Sequence, residues 1–145
     1  MDIWKAKVEG MKDFTEKFGR NAGKIWTTLN THGPCNKPTL IKNTRMSEAD
    51  FYAAIGWLAR ENKVCKEGNY YKLGETNLTS KIGEDAGKIW KVLGSQGETD
   101  MLSISKTTQI KIPEAYSALG WLAREDKVLG KKSKSNANQI KVKLK

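Results

Sequence analysis

The hexapeptide Gly56-Trp57-Leu58-Ala59-Arg60-Glu61 returns as Gly120-Trp121-Leu122-Ala123-Arg124-Glu125, and Ala22-Gly23-Lys24-Ile25-Trp26 returns as Ala86-Gly87-Lys88-Ile89-Trp90. Both offsets are 64 residues, so Phe14–Val64 lies over Leu78–Val128 without a gap, with 22 identities in 51 positions. Identity at that level makes the chain a tandem duplication. A 64-residue period is too long for a solenoid repeat and suits two small domains, each with its own core. The expected organisation is an N-terminal extension at 1–13, a first domain at 14–74 and a second at 78–145.

Each copy reads in the same order. Phe18, Ala22, Ile25, Trp26 and Leu29 fall at helical spacing, with Asn21 (Asp85 in the second copy) as a capping candidate. That helix stops at His32-Gly33-Pro34, or at Ser95-Gln96-Gly97. A short segment follows, Thr39–Arg45 or Ser103–Gln109, long enough for one brief helix. A longer helix is opened by Ser47-Glu48-Ala49-Asp50, or by Ile112-Pro113-Glu114, where Pro113 suits a first turn because its missing N–H costs nothing there. Its apolar stripe is Phe51, Ala54, Ile55, Leu58 and Ala59.

Strand chemistry comes next. Val64-Cys65-Lys66, Glu67-Gly68-Asn69 and Tyr70–Leu73 read as a tight hairpin. In the second copy Val128-Leu129 leads through a loop at Gly130–Gln139 to Ile140–Lys145, which alternates Ile140, Val142 and Leu144 inward with lysines outward. Helix, short helix, longer helix and hairpin is the order of a winged helix-turn-helix. The expected fold is therefore α+β, mainly α, with two tandem winged helix-turn-helix domains in contact, because the join at Gly74–Ser80 is neither long nor Gly/Ser-rich.

Through these motifs each copy resembles the small bacterial and archaeal winged-helix proteins that carry A-G-K-I-W in the first helix and G-W-L-A-R-E in the third, ending in K-V. The matching residues are Ala22–Trp26 with Gly56–Val64, and Ala86–Trp90 with Gly120–Val128. The resemblance spans 14 to about 73 and again 78 to 145. It implies the winged-helix fold and, by analogy of fold, DNA binding. The family's usual chain is a single domain, so the duplication is a departure.

The repeated residues read first as structure. Trp57, Trp121, Trp26 and Trp90 are expected in the core. Gly56, in mid-helix at a cost of about 1 kcal/mol relative to Ala, marks a close approach of another element. Arg60 and Arg124, near a helix C-terminus, are expected to complement the dipole or pair locally. The chain contains one histidine, His32, which becomes Gln96 in the second copy, while Cys35 and Cys65 become Thr99 and Leu129. No triad, P-loop, dinucleotide fingerprint or metal-ligand spacing occurs, so no enzyme activity, metal or cofactor is expected. With two unpaired-looking cysteines, no bilayer-length apolar run and a charged start, the expected setting is cytoplasmic, away from the membrane.

Charge carries the functional expectation. The chain has 26 Lys+Arg against 16 Asp+Glu, a net +10, and six of the lysines lie in the acid-free stretch Gly130–Lys145. A winged helix reads DNA with the start of its third helix in the major groove and its wing along the backbone. Glu48 and Asp50 at one start, and Lys111-Ile112-Pro113-Glu114 at the other, offer no set of Arg, Asn or Gln for bases. The expectation is a nucleic-acid-binding protein, DNA-binding with weak sequence selectivity through a basic wing, in the manner of a transcriptional regulator. The candidate residues are Lys131, Lys132, Lys134, Lys141 and Lys143 in the wing, with Lys106, Lys111, Lys42 and Arg45 around the short helices. The rival expectation is a protein-interaction adaptor or a homodimer, suggested by the acidic third-helix start and by Ile3, Trp4, Val8 and Met11 in the extension.

Overall fold

The computed structural model describes residues 3–132 and 140–145; the side chains of 3–15 and of Lys132 lie outside the described residues. The first copy runs α1 (Ile3–His32), β1 (Cys35–Asn36), α2 (Lys37–Thr44), α3 (Glu48–Arg60), β2 (Val64–Glu67) and β3 (Tyr70–Leu73). The second runs α4 (Thr79–Gln96), β4 (Thr99–Asp100), α5 (Met101–Thr108), α6 (Ile112–Arg124), β5 (Val128–Lys132) and β6 (Ile140–Leu144). The fold is α+β and mainly α, two winged helix-turn-helix units in tandem.

Local chemistry sets the element ends. Ser47 caps α3, its Oγ accepting from the Asp50 amide at 3.1 Å, and Glu48 and Asp50 favour the positive end of the helix dipole. Asn36 caps α2 by accepting from Thr39, and Asp100 caps α5 by accepting from Ser103 at 2.7 Å. The short strands β1 and β4 carry no period of their own in the sequence. Each pairs antiparallel with the last strand of its hairpin, giving sheets ordered β1-β3-β2 and β4-β6-β5. Val64 faces Leu73 while Val128 faces Leu144, so the second hairpin is the longer by seven residues.

Two cap expectations fail. Asn21 and Asp85 lie inside α1 and α4, because both helices begin well upstream. They are buried, Asp85 beside Lys81 at 3.2 Å and Asn21 with no hydrogen-bond partner for its Nδ2. Residues 3–13, expected as a separate extension, form the opening turns of α1.

The join between the copies is pinned to the first hairpin. Asn77 accepts from the Lys66 amide at 3.0 Å and donates to the Lys66 carbonyl at 2.7 Å, and the Thr76 amide donates to Asn62 Oδ1. The two copies then share their cores. Ile25, Leu40, Phe51, Leu58 and Val64 of the first core are completed by Ile82 of α4. Ile89, Ile104, Leu119, Leu122 and Val128 of the second are completed by Phe18 of α1 and Ala53 of α3. Phe18 and Ile82 are 64 residues apart, so the exchange is reciprocal, and Trp57, Trp121 and Tyr52 pack against both clusters.

Candidate nucleic-acid interface

A winged helix exposes the outward face of its third helix, and in this chain that face is occupied. Among the described residues α3 and α6 make the most extensive contact between any two elements, crossing at their glycines. A Cβ built on Gly56 would stand 1.8 Å from the Ser117 carbonyl oxygen, and one on Gly120 the same distance from the Ala53 carbonyl oxygen. Only a residue with no side chain lets the two backbones meet there. Around the crossing Arg60 pairs with Glu125 at 3.2 Å and Arg124 with Glu61 at 3.1 Å. Arg60 also lies 5.6 Å from the Trp121 ring centre, and Arg124 lies 5.8 Å from that of Trp57. The repeated hexapeptide is thus one half of a pseudo-symmetric seam.

Several expectations change as a result. Arg60 and Arg124 pair across the seam rather than locally. Trp57 and Trp121 are half-buried beneath them. Trp26 and Trp90, expected in the core, are 39% and 46% exposed on α1 and α4. Their spacing from Ile25 and Ile89 turns them outward: the isoleucines take the core-facing place, and the next position lies about 100° around the helix. Trp90 and Trp121, with Gly83, Ala86 and Gly87 beneath, line a cleft of about 310 Å³.

The predicted phosphate contacts divide by location. Lys131 lies in β5 and pairs with Glu98 at 3.4 Å, an acid that precedes β4. Lys141 stands opposite Asp100 in the β4–β6 register. The Ser103 backbone amide, with the Ser103 hydroxyl and Lys141 adding, holds the Asp100 carboxyl below its ordinary range. Lys145 pairs with Asp126 at 2.6 Å. The stretch that is free of acids in sequence therefore has acids beside it in space, which sequence distance hides. Lys143 is half-buried in β6, and Lys106 and Lys111 are exposed. Lys132 lies in β5 with its side chain outside the described residues, and Lys134 falls outside them altogether.

On the first copy Lys42 and Arg45 are exposed at the end of α2, where Arg45 takes a left-handed backbone and its amide closes the helix on the Ile41 carbonyl. The acids at the start of α3 are paired: Asp50 with Lys17 at 3.0 Å and Glu48 with Lys37 at 3.1 Å. Lys37 also donates to the Tyr52 hydroxyl, and both bonds raise its pKa. Sequence reasoning missed Arg20 and Lys24, because they interrupt the apolar stripe of α1 as ordinary solvent-side residues. The structure places them beside α2, lining a groove with Asn43 and Thr44. Among the described residues no cluster of metal-ligating side chains occurs, and no helix is long and apolar enough to cross a membrane.

The architecture defines a tandem winged-helix protein, a class of domain that generally binds nucleic acid. The family model for the winged helix-turn-helix domain DUF2582 matches twice, at residues 11–73 and 77–141, and the chain belongs to that family. An uncharacterised protein of Methanocaldococcus jannaschii is 41% identical over 58 residues, covering 36% of this chain and 77% of its own length. No solved structure matches the chain significantly.

Proposed function

We propose that this protein is a non-enzymatic DNA-binding protein that holds the sugar-phosphate backbone and reads little sequence, in the manner of a cytoplasmic transcriptional regulator or architectural factor. The observation that carries this is the seam: the outward faces of α3 and α6 are packed on each other, and their exposed starts carry Glu48 and Glu114 rather than base-reading side chains. What remains for a polyanion is the basic periphery, namely the second wing with Lys131, Lys132, Lys134, Lys141 and Lys143, and the short-helix cations Lys42, Arg45, Lys106 and Lys111. Contacts of this kind position a protein on the duplex without discriminating bases.

The test is a fluorescence-polarisation titration against two duplexes of unrelated sequence across a range of salt. Similar affinities and a log–log salt slope of about −5 are expected if five or six phosphates are engaged. No binding at about 50 mM salt would refute the reading, since non-specific electrostatic binding is strongest there. Binding unchanged after Lys131, Lys132 and Lys134 become Ala would remove the wing from it.

The matched exposure of Trp26 and Trp90 supports a second reading, an adaptor that binds a protein partner or a second copy of itself. It predicts that Trp26→Ala and Trp90→Ala abolish a stable complex while leaving DNA affinity unchanged; a monomeric chain that recovers no partner from native lysate counts against it.

A further inference from the structure

On the first copy, between α1 and α2, lies an open groove of about 710 Å³ lined by Arg20, Lys24, Thr27, Thr28, Asn43 and Thr44. None of its lining residues is acidic. Two cations, Arg20 and Lys24, line the groove, and the exposed Lys42 and Arg45 flank Asn43-Thr44 in the chain. Gly23 also lines it, and a Cβ built there would meet nothing within 4 Å, so the middle of the groove is open to an incoming chain. Arg20 pairs with Glu16 at 3.8 Å, with both side chains more than half exposed. Such a pair contributes little, and a phosphate can displace it. The Thr28 and Thr44 hydroxyls donate to the Lys24 and Leu40 carbonyls of their own helices. The Arg20 guanidinium, the Lys24 ammonium, the Thr27 hydroxyl and the Asn43 amide are the lining donors left for a ligand.

The second copy does not repeat this arrangement. Glu84 stands where the first copy has Arg20, and Gln109 where it has Arg45. Acid-free lining, a planar guanidinium beside point charges and an open trough fit a run of phosphates better than one small anion, which an enclosed site would hold.

We propose that the α1–α2 groove of the first copy seats a stretch of sugar-phosphate backbone, forming a second contact surface separate from the wing. This rests on the nucleic-acid reading above and adds a place to it. The experiment compares the full chain, Arg20→Gln/Lys24→Gln, and the charge-matched control Lys88→Gln/Lys91→Gln on the second copy, all against the same duplex DNA. All four positions are exposed, so thermal denaturation should be unchanged. The groove variant is expected to bind about tenfold more weakly near physiological salt, with the log–log slope shallower by about 1.8 for two lost contacts. The control is expected to stay within about twofold of the parent chain. Binding by the parent chain with the groove variant unchanged overturns this proposal and leaves the nucleic-acid reading standing. Equal losses in the two variants also overturn it, since they show general surface charge. Absence of binding by the parent chain at low salt removes both.

Discussion

Replacing Gly56 by Ala tests the seam directly. The added methyl would stand 1.8 Å from the Ser117 carbonyl oxygen and 2.7 Å from its carbon. An unstrained carbon–oxygen contact needs roughly 3.3 Å, so the two backbones must part by about 1.5 Å. The obstacle is main chain in a helix, so no side-chain rotamer relieves it, and a close-packed interior transmits the displacement. Because main chain must move, the upper end of the usual overpacking cost applies, about 3 kcal/mol, while the helix propensity of Ala returns about 1 kcal/mol. We expect a net loss of about 2 kcal/mol, read as a lower urea midpoint at unchanged slope, followed by tryptophan fluorescence. Gly120→Ala should lose a similar amount against Ala53. The double variant should lose less than the sum, because helices already parted accommodate the second methyl. Gly23→Ala is the internal control: on the exposed side of α1 with nothing within 4 Å, it should stabilise by about 0.5–1 kcal/mol. A Gly56→Ala protein as stable as the parent, or stabilised like the Gly23 variant, would refute the close crossing of α3 and α6.

The exchanged side chains make further predictions. Phe18 is 1% exposed in the second core, so Phe18→Ala should cost about 3–5 kcal/mol and lower a single cooperative transition; two separated transitions in the parent chain would show that the cores are independent. Asp100→Ala should cost about 1 kcal/mol through loss of the α5 cap. The lowered Asp100 carboxyl contributes stability that is present above its ordinary 3.8 and lost as pH falls through its folded value. Asp100→Asn should keep the cap, as Asn36 does in the first copy, and abolish that acid-side dependence, measured as midpoint against pH. Burial, with Tyr52 adding and Lys37 opposing, pushes the Tyr71 phenol up from 10.0 to about 12. Its contribution is therefore complete below pH 10 and lost as pH rises toward 12, and Tyr71→Phe should flatten that part of the alkaline profile relative to the parent chain.

The order of elements was legible because it rests on local signals: apolar spacing in each helix, Ser47 and Pro113 at helix starts, and alternation in Ile140–Leu144. The short strands β1 and β4 were not, because two residues carry no period and exist only through the hairpins they pair with. Of the candidate site, the lysines were visible as charges. Their partners Glu98 and Asp126 were not, because sheet pairing and chain reversal bring those acids close. Arg20 and Lys24 have the spacing of ordinary solvent-side residues on α1, and only the packing of α2 beside them makes a groove.

Composition and spacing alone determined that this chain is a duplicated winged helix-turn-helix, since hydrophobic periodicity and turn chemistry are properties of neighbouring residues. Tertiary structure alone decided what each apolar face meets. Periodicity shows that a face must be covered but not by which element, and a glycine without a Cβ carries no hydrophobic signal toward its partner. The repeated Gly-Trp-Leu-Ala-Arg-Glu is recognisable in the sequence as a repeat, and it is an interface because the backbones of its two copies, 64 residues apart in the chain, meet in the fold.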